Sequence, residues 1–92
     1  MDGNVRVLVV DDDPDIAHFV RAVLQKAGMT AVACFDPLEA LALAARERFD
    51  AVITDIEMPG MNGLEFVGKL RELQPDLPVV VMTAHASLEY AV

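Results

Sequence analysis

Residues 5–14, VRVLVVDDDP, contain the clearest indication of the fold. This stretch begins with a valine-rich, almost wholly apolar run, which is typical of a β-strand covered on both faces in a parallel sheet. Asp13 and Pro14 then favour the start of a helix, with Asp13 as N-cap and Pro14 at the first helical position. A buried strand that passes through acidic residues into a helix indicates the first unit of an α/β fold.

The rest of the chain repeats this unit. Further strand-like runs lie at residues 30–34, 51–54 and 78–83, and stretches with helical periodicity separate them. Asp36 and Asn62 are predicted to cap the second and third helices, each with a glutamate three residues later. We therefore predict an α/β domain with a doubly wound parallel sheet, right-handed crossovers and helices on both faces.

Each predicted helix has an apolar stripe that we expect to face the sheet, because its apolar residues recur three and four positions apart. The predicted inward-facing residues are Ile16, Phe19, Val20, Val23, Leu24 and Ala27, then Leu38, Leu41, Ala42 and Ala45, then Val67, Leu70 and Leu73.

Composition limits the class of protein. The chain has 92 residues, the size of one domain, and a net charge of −8 from 7 basic and 15 acidic residues. This charge argues against binding nucleic acid or an anionic membrane surface through this domain. No apolar run reaches the roughly 18 residues that span a membrane, and the N-terminus lacks a basic signal-peptide start. The single cysteine, Cys34, cannot form an internal disulfide, so we expect a cytoplasmic protein.

Acidic residues follow two of the predicted strands. Asp11 and Asp12 end the first strand, and Asp55 ends the third. Ligands of open α/β sheets bind beyond the carboxyl ends of the strands, where these three side chains would converge if the two strands are neighbours. Two such charges 4 Å apart repel by about 4 kcal/mol at an effective dielectric of 20, and no basic residue stands beside them in sequence. The pattern predicts a site for a hard cation such as Mg²⁺.

The same cluster suggests a reaction. A carboxylate beside bound Mg²⁺ can attack phosphorus, and aspartyl phosphates are known covalent intermediates. The hydroxyl of Thr83, at the end of the fourth strand, could hydrogen-bond a phosphoryl oxygen.

Three blocks of sequence contain these residues: LVVDD at 8–12, DIEMPGMNG at 55–63 and PVVVMTA at 78–84. In this order and spacing they resemble the receiver domain of two-component response regulators, over essentially the whole chain. The resemblance implies the flavodoxin-like strand order 2-1-3-4-5, and a signalling role in transcription regulation rather than an enzyme activity. Residues 82–86, MTAHA, also resemble receivers of transcription activators that work with sigma factor 54.

The resemblance also implies a role for each site residue. Asp55 would accept a phosphoryl group from a sensor histidine kinase. Thr83 resembles the switch hydroxyl that moves toward the phosphoryl group, and His85 stands where the family has a side chain that screens the site. The implied Mg²⁺ ligands are Asp11, Asp12, Asp55 and the backbone carbonyl of Glu57.

One departure from the family concerns the end of the sequence. A complete receiver continues through a fifth strand and a final helix, so roughly 25–35 residues are missing by average element lengths. The family lysine that pairs with the phosphoryl group lies in that part. We therefore expect residues 1–92 to form a C-terminally truncated receiver with strand order 2-1-3-4.

Two alternatives to the phosphorylated switch remain. A truncated receiver could be an interaction or dimerisation module that no longer switches, since an uncovered fourth strand offers an edge for self-association. The other alternative is a metal-dependent phosphohydrolase, which needs two acids two residues apart. Asp11 and Asp13 have that spacing, but no catalytic cap region follows them.

Overall fold

The computed structural model describes residues 4–82 of the chain. The elements alternate as the sequence predicts. In chain order they are β1 (Arg6–Val10), α1 (Pro14–Lys26), β2 (Thr30–Cys34), α2 (Pro37–Arg46), β3 (Ala51–Asp55), α3 (Gly63–Leu73) and β4 (Val79–Met82). None of the helices in this range is both long enough and apolar enough to cross a membrane.

The four strands form one parallel sheet in the order β2-β1-β3-β4, which confirms the predicted fold class. Val10, the last residue of β1, pairs with Cys34 on one side and with Thr54 on the other. The carboxyl ends of β1 and β3 are therefore adjacent, so the residues that follow them meet at one edge. Within residues 4–82, β4 lies at the side of the sheet and pairs only with β3.

The helix starts are capped as predicted. Side-chain oxygens of Asp13, Asp36 and Asn62 accept hydrogen bonds from backbone N–H groups two or three residues later, at 2.8–3.0 Å. Proline occupies the first turn of α1 and α2. These caps use N–H groups that have no partner inside the helix, and each typically contributes about 1 kcal/mol.

The main hydrophobic core lies between the sheet and the pair of helices α2 and α3. Phe66 and Leu70 of α3 are fully buried there against Leu8, Val10 and Val52 of the sheet. Burying each such side chain stabilises the fold by about 1.5–3 kcal/mol, so this face carries most of the apolar stabilisation.

The opposite face of the sheet is covered by α1 alone within the described residues. Only Val7, Val9 and Ala17 are buried in its cluster. Four residues predicted to face inward are exposed instead: Ile16, Phe19, Val23 and Ala27. The prediction was wrong for them because one helix touches a sheet along a narrow line, and no second helix of residues 4–82 packs on the flank of α1.

The predicted stripes of α2 and α3 were also partly wrong. Leu38, Ala42 and Ala45 of α2 are exposed, whereas Ala40 and Ala44 are buried against the core. Small residues allow the helix to approach the sheet closely, so the contact line follows the alanines and the larger Leu38 points outward. In α3 the fully buried residues include Phe66, while Leu73 is exposed.

At the amino end of the sheet, Arg6 of β1 contacts several residues of the segment that precedes β3. Its guanidinium donates to Glu47 Oε1 and to the carbonyl of Arg48, both at 3.0 Å, and lies 4.9 Å from the centre of the Phe49 ring. Its backbone N–H donates to Asp50 Oδ2 at 2.8 Å, and its carbonyl accepts from Asp50 N–H. These contacts join the start of β1 to the segment that precedes β3.

Candidate functional site

Three carboxylates meet at the carboxyl end of the sheet. One oxygen from each of Asp11, Asp12 and Asp55 lies within 4.8 Å of the others. The parallel pairing of β1 with β3 brings them together, because Val10 and Thr54 lie side by side one residue earlier. The structure thus joins three of the four residues that the sequence predicts as Mg²⁺ ligands.

Asp11 is the buried member of this cluster, with 2% of its surface exposed. Its Oδ1 accepts a hydrogen bond from Asp13 N–H at 2.9 Å, and its own N–H donates to the carbonyl of Cys34 at 3.1 Å. Burial raises the pKa of the Asp11 carboxyl; the hydrogen bond from Asp13 opposes the increase, and the charges of Asp55 and Asp12 add to it. The ionised form of Asp11 therefore lowers the stability of the folded state relative to the neutral form.

Asp55 is partly accessible at the end of β3. Its Oδ1 accepts a hydrogen bond from Glu57 N–H at 3.3 Å. The fully buried hydroxyl of Thr54 donates to the backbone carbonyl of Asp55 at 3.0 Å. Asp55 thus combines an accessible carboxylate with a fixed backbone.

Glu57 lies in the loop after β3, and its side chain is exposed and is not part of the carboxylate cluster. The backbone of this loop is held at both ends. Ile56 N–H donates to the carbonyl of Met82 at 3.1 Å, and Gly63 N–H donates to the carbonyl of Ile56 at 2.6 Å. These hydrogen bonds, together with the one from Glu57 N–H to Asp55 Oδ1, hold the backbone at Glu57 in a defined turn beside Asp55.

The electrostatics of the cluster are one-sided. Within residues 4–82, no salt bridge involves Asp11, Asp12 or Asp55; the ion pair in this range joins Arg6 to Glu47 at the other end of the sheet. The atoms that could bind a metal ion here are carboxylate oxygens, the ligands that Mg²⁺ prefers. The donor set and its unbalanced charge fit a divalent cation.

Three of the predicted features lie outside the described residues. They are Thr83 with its switch hydroxyl, His85, and most of the MTAHA segment at residues 82–86.

Sequence reasoning did not single out Thr54 or Gly63, although both contact the backbone at Asp55. A threonine directly after the apolar run AVI was one signal, since a buried hydroxyl needs a partner. A glycine directly after a helix cap was the other, because a glycine there often marks a close backbone contact.

The family model of the response regulator receiver domain matches residues 7–92. The chain is 41% identical over 85 residues to the probable transcriptional regulatory protein TcrX of Mycobacterium tuberculosis, an alignment that covers 92% of this chain and 36% of TcrX. The chain therefore spans little more than a third of that relative.

Solved structures share the fold. The chemotaxis protein CheY4 of Vibrio cholerae matches with a TM-score of 0.86 and 38% identity, over 95% of this chain and 74% of CheY4. The response regulator TrrA of Thermotoga maritima, solved in complex with Mg(2+)-BeF, matches with a TM-score of 0.85 and 38% identity, over 89% and 71% of the two chains. TrrA in complex with the histidine kinase ThkA matches with a TM-score of 0.85 and 37% identity, over 91% and 72%.

Proposed function

Because the chain belongs to the response regulator receiver family, we propose that it is a phospho-accepting signalling switch rather than an enzyme. In this proposal Asp55 receives a phosphoryl group from a sensor histidine kinase while Mg²⁺ is bound beside it. The observation that carries the proposal is the convergence of three carboxylates within 4.8 Å, one of them buried, at the carboxyl end of a parallel sheet.

The residues proposed to hold Mg²⁺ are Asp11, Asp12, Asp55 and the backbone carbonyl of Glu57. Asp11 is fixed in place by its hydrogen bonds to Asp13 and Cys34, so its carboxylate is already oriented toward the cluster. When bound, Mg²⁺ would offset the charge of the carboxylates and of the phosphoryl oxygens. The complex of TrrA with Mg(2+)-BeF supports this assignment.

Asp55 is proposed as the nucleophile. One of its oxygens accepts a hydrogen bond from Glu57 N–H, so we assign the attack to the other oxygen. That oxygen forms a bond to phosphorus while the bond from phosphorus to the kinase histidine breaks. The imidazole keeps the electron pair and takes up a proton, and Asp55 becomes an acyl phosphate.

The decisive experiment measures phosphoryl transfer to Asp55 by intact-mass spectrometry. The chain is incubated with Mg²⁺ and a small acyl phosphate, and we expect it to gain the mass of one phosphoryl group. Asp55→Ala, or removal of Mg²⁺ with a chelator, should abolish the gain. Asp50→Ala, which removes an exposed acid at the other end of the sheet, should leave it unchanged. A folded wild-type chain that gains no mass overturns the proposal.

Further parts of the proposal extend beyond the described site. Thr83 is the proposed switch hydroxyl, and residues 1–92 are proposed as one receiver domain. The complex of TrrA with ThkA supports a histidine kinase as partner. The net charge of −8 supports a domain that does not itself bind nucleic acid, and the buried thiol of Cys34 fits a cytoplasmic setting.

A second candidate function, a dimerisation module, is favoured by exposed apolar residues near the edge of the sheet. Val80 and Val81 of β4 are 55% and 40% exposed. Val80 shares a sheet face with the residues under α1, since it pairs with Ile53 of β3. Edge strands of this kind pair with other strands, so we propose a second copy of the chain as the occupant.

The test of this second function is the mass in solution. Light scattering over a range of concentrations should show a dimer or larger oligomer, and Val80→Lys should return the mass to one chain. Phe35→Lys is the matched control, because Phe35 is also exposed but follows β2 at the opposite side of the sheet. A one-chain mass at every concentration contradicts dimerisation and leaves the phosphorylation proposal standing.

A further inference from the structure

Gly63 approaches the backbone beside Asp55 more closely than any other residue type could. It is the first residue of α3. A Cβ atom built on it would lie 2.5 Å from the carbonyl oxygen of Asp55, 2.5 Å from Cα of Ile56 and 3.1 Å from the carbonyl carbon of Ile56. All three are backbone atoms, so no side-chain rotation could relieve the clash.

The peptide that Gly63 contacts is fixed on its other sides. The Thr54 hydroxyl donates to the Asp55 carbonyl at 3.0 Å, and Ile56 N–H donates to the carbonyl of Met82 at 3.1 Å. Gly63 itself donates its N–H to the Ile56 carbonyl at 2.6 Å. A side chain at position 63 would therefore displace either this peptide or the start of α3.

We propose that Gly63 is a positioning residue for Asp55. By letting the first turn of α3 rest on the Asp55–Ile56 peptide, Gly63 sets the distance of the Asp55 carboxylate from Asp11 and Asp12. The inference rests on the proposed function of this site, and it adds a residue that touches neither the cation nor the phosphoryl donor. Gly63 acts through the backbone, and its missing Cβ is the property that matters.

The same helix supplies a matched control. Gly68 also lies in α3, and a Cβ on it would meet no atom within 4 Å. Alanine at position 68 fills open space and improves helix propensity, so Gly68→Ala should raise Tm slightly without affecting the site. The two substitutions are chemically identical, and they differ in whether the new methyl group meets the Asp55–Ile56 peptide.

The experiment compares wild type, Gly63→Ala and Gly68→Ala as full chains. Mg²⁺ affinity is measured by calorimetric titration, and the phosphorylation rate by mass spectrometry at saturating Mg²⁺. Circular dichroism gives the folded fraction, so both quantities refer to folded molecules. We expect Gly63→Ala to lower the rate by roughly 10–100-fold, since a misplacement of about 1 Å at a reacting group has an effect of that size. It should also weaken Mg²⁺ binding, whereas Gly68→Ala should match wild type.

A folded Gly63→Ala chain with wild-type affinity and rate overturns the inference. A purely structural role predicts that outcome, with a lower Tm as the only change. If Gly63→Ala does not fold, Thr54→Val takes its place, because it removes the hydroxyl that holds the same peptide from the other side. The rate should then fall by a smaller factor, and an unchanged rate in folded Thr54→Val overturns the inference.

The results also separate the inference from the proposed function. A wild-type chain that neither binds Mg²⁺ nor accepts a phosphoryl group refutes the function and the inference together. A wild-type chain that does both, with Gly63→Ala unchanged, refutes the inference alone.

Discussion

Charged side chains are arranged in opposite ways at the two ends of the sheet: opposite charges are paired at the amino end, and like charges are clustered at the carboxyl end. At the amino end, the Arg6 guanidinium donates to Glu47 and to the carbonyl of Arg48, and its backbone N–H donates to the Asp50 carboxylate. At the carboxyl end, like charges gather: Asp11 is buried beside Asp12 and Asp55, and no salt bridge within residues 4–82 offsets them. The amino end supports the fold, whereas the carboxyl end strains it in a way that a bound cation would relieve.

The contributions of the two ends to the stability of the fold differ in sign as well as in size. The ion pair of Arg6 with Glu47 is 37% and 39% exposed, so it contributes only about 0.2–1 kcal/mol. The position of Arg6 over the Phe49 ring adds about 0.5–1 kcal/mol. The cluster around Asp11 opposes folding without metal, because its burial favours the neutral carboxyl. Three predictions examine this contrast.

The largest effect should come from adding Mg²⁺. At a free concentration 100 times Kd, a ligand that binds only the folded state stabilises it by about 2.7 kcal/mol. For a domain of this size that corresponds to an increase in Tm of roughly 10–20 °C, measured by thermal unfolding with and without Mg²⁺.

Two variants show whether this increase belongs to the carboxyl end. Asp12→Ala should abolish most of it. Asp50→Ala should lower the starting Tm, because it removes a contact of Arg6, yet keep the increase on adding Mg²⁺. Equal loss of the increase in both variants would mean that Mg²⁺ acts through overall charge rather than through the cluster.

A smaller effect on stability is expected for Asp11→Asn in metal-free buffer. Most substitutions destabilise a protein, whereas this one should stabilise it. The amide keeps an oxygen that can accept the hydrogen bond from Asp13 N–H, and it removes a buried charge. We expect stabilisation on the order of 1–2 kcal/mol at neutral pH, measured by urea unfolding. Asp50→Asn removes a charge at the amino end and should destabilise or have no effect.

The pH dependence of that difference follows from the raised pKa of Asp11. In the unfolded chain this carboxyl titrates near 3.8, and the fold holds its proton more tightly. The stability due to neutral Asp11 is complete below pH 3.8 and is lost as pH rises through the folded-state pKa. The advantage of Asp11→Asn should therefore vanish below pH 3.8 and grow above it; a constant advantage would contradict the assignment.

The smallest effect should come from Arg6→Ala at the amino end. It removes a partly exposed ion pair and the contact with Phe49, so we expect a loss of about 1 kcal/mol in the free energy of unfolding. Mg²⁺ binding and phosphorylation should not change. A large loss of Mg²⁺ affinity in this variant would show that the two ends are coupled.

The sequence predicts well where signals are local or where parallel topology determines the outcome. The caps at Asp13, Asp36 and Asn62 are short-range patterns, and all three are confirmed. The meeting of Asp11 with Asp55 follows from the neighbouring positions of β1 and β3 in a parallel sheet.

The sequence predicts poorly where a neighbour decides the outcome. Periodicity places Phe19 and Leu38 on apolar stripes, but burial depends on which elements pack beside each helix, and both are exposed. The role of Gly63 depends on a backbone contact with the Asp55–Ile56 peptide. The contacts of Arg6 involve partners more than forty positions away, at Glu47 and Asp50.

The central place of β1 in the sheet has a consequence for biosynthesis. β1 lies between β2 and β3, and its start is tied to Asp50, 44 positions further along the chain. A nascent chain that has left the ribosome only as far as α2 holds Asp11 and Asp12 but has no Asp55 to join them. The third carboxylate arrives only with β3, so the proposed cation site would be complete only in a chain whose first three strands have been made and paired.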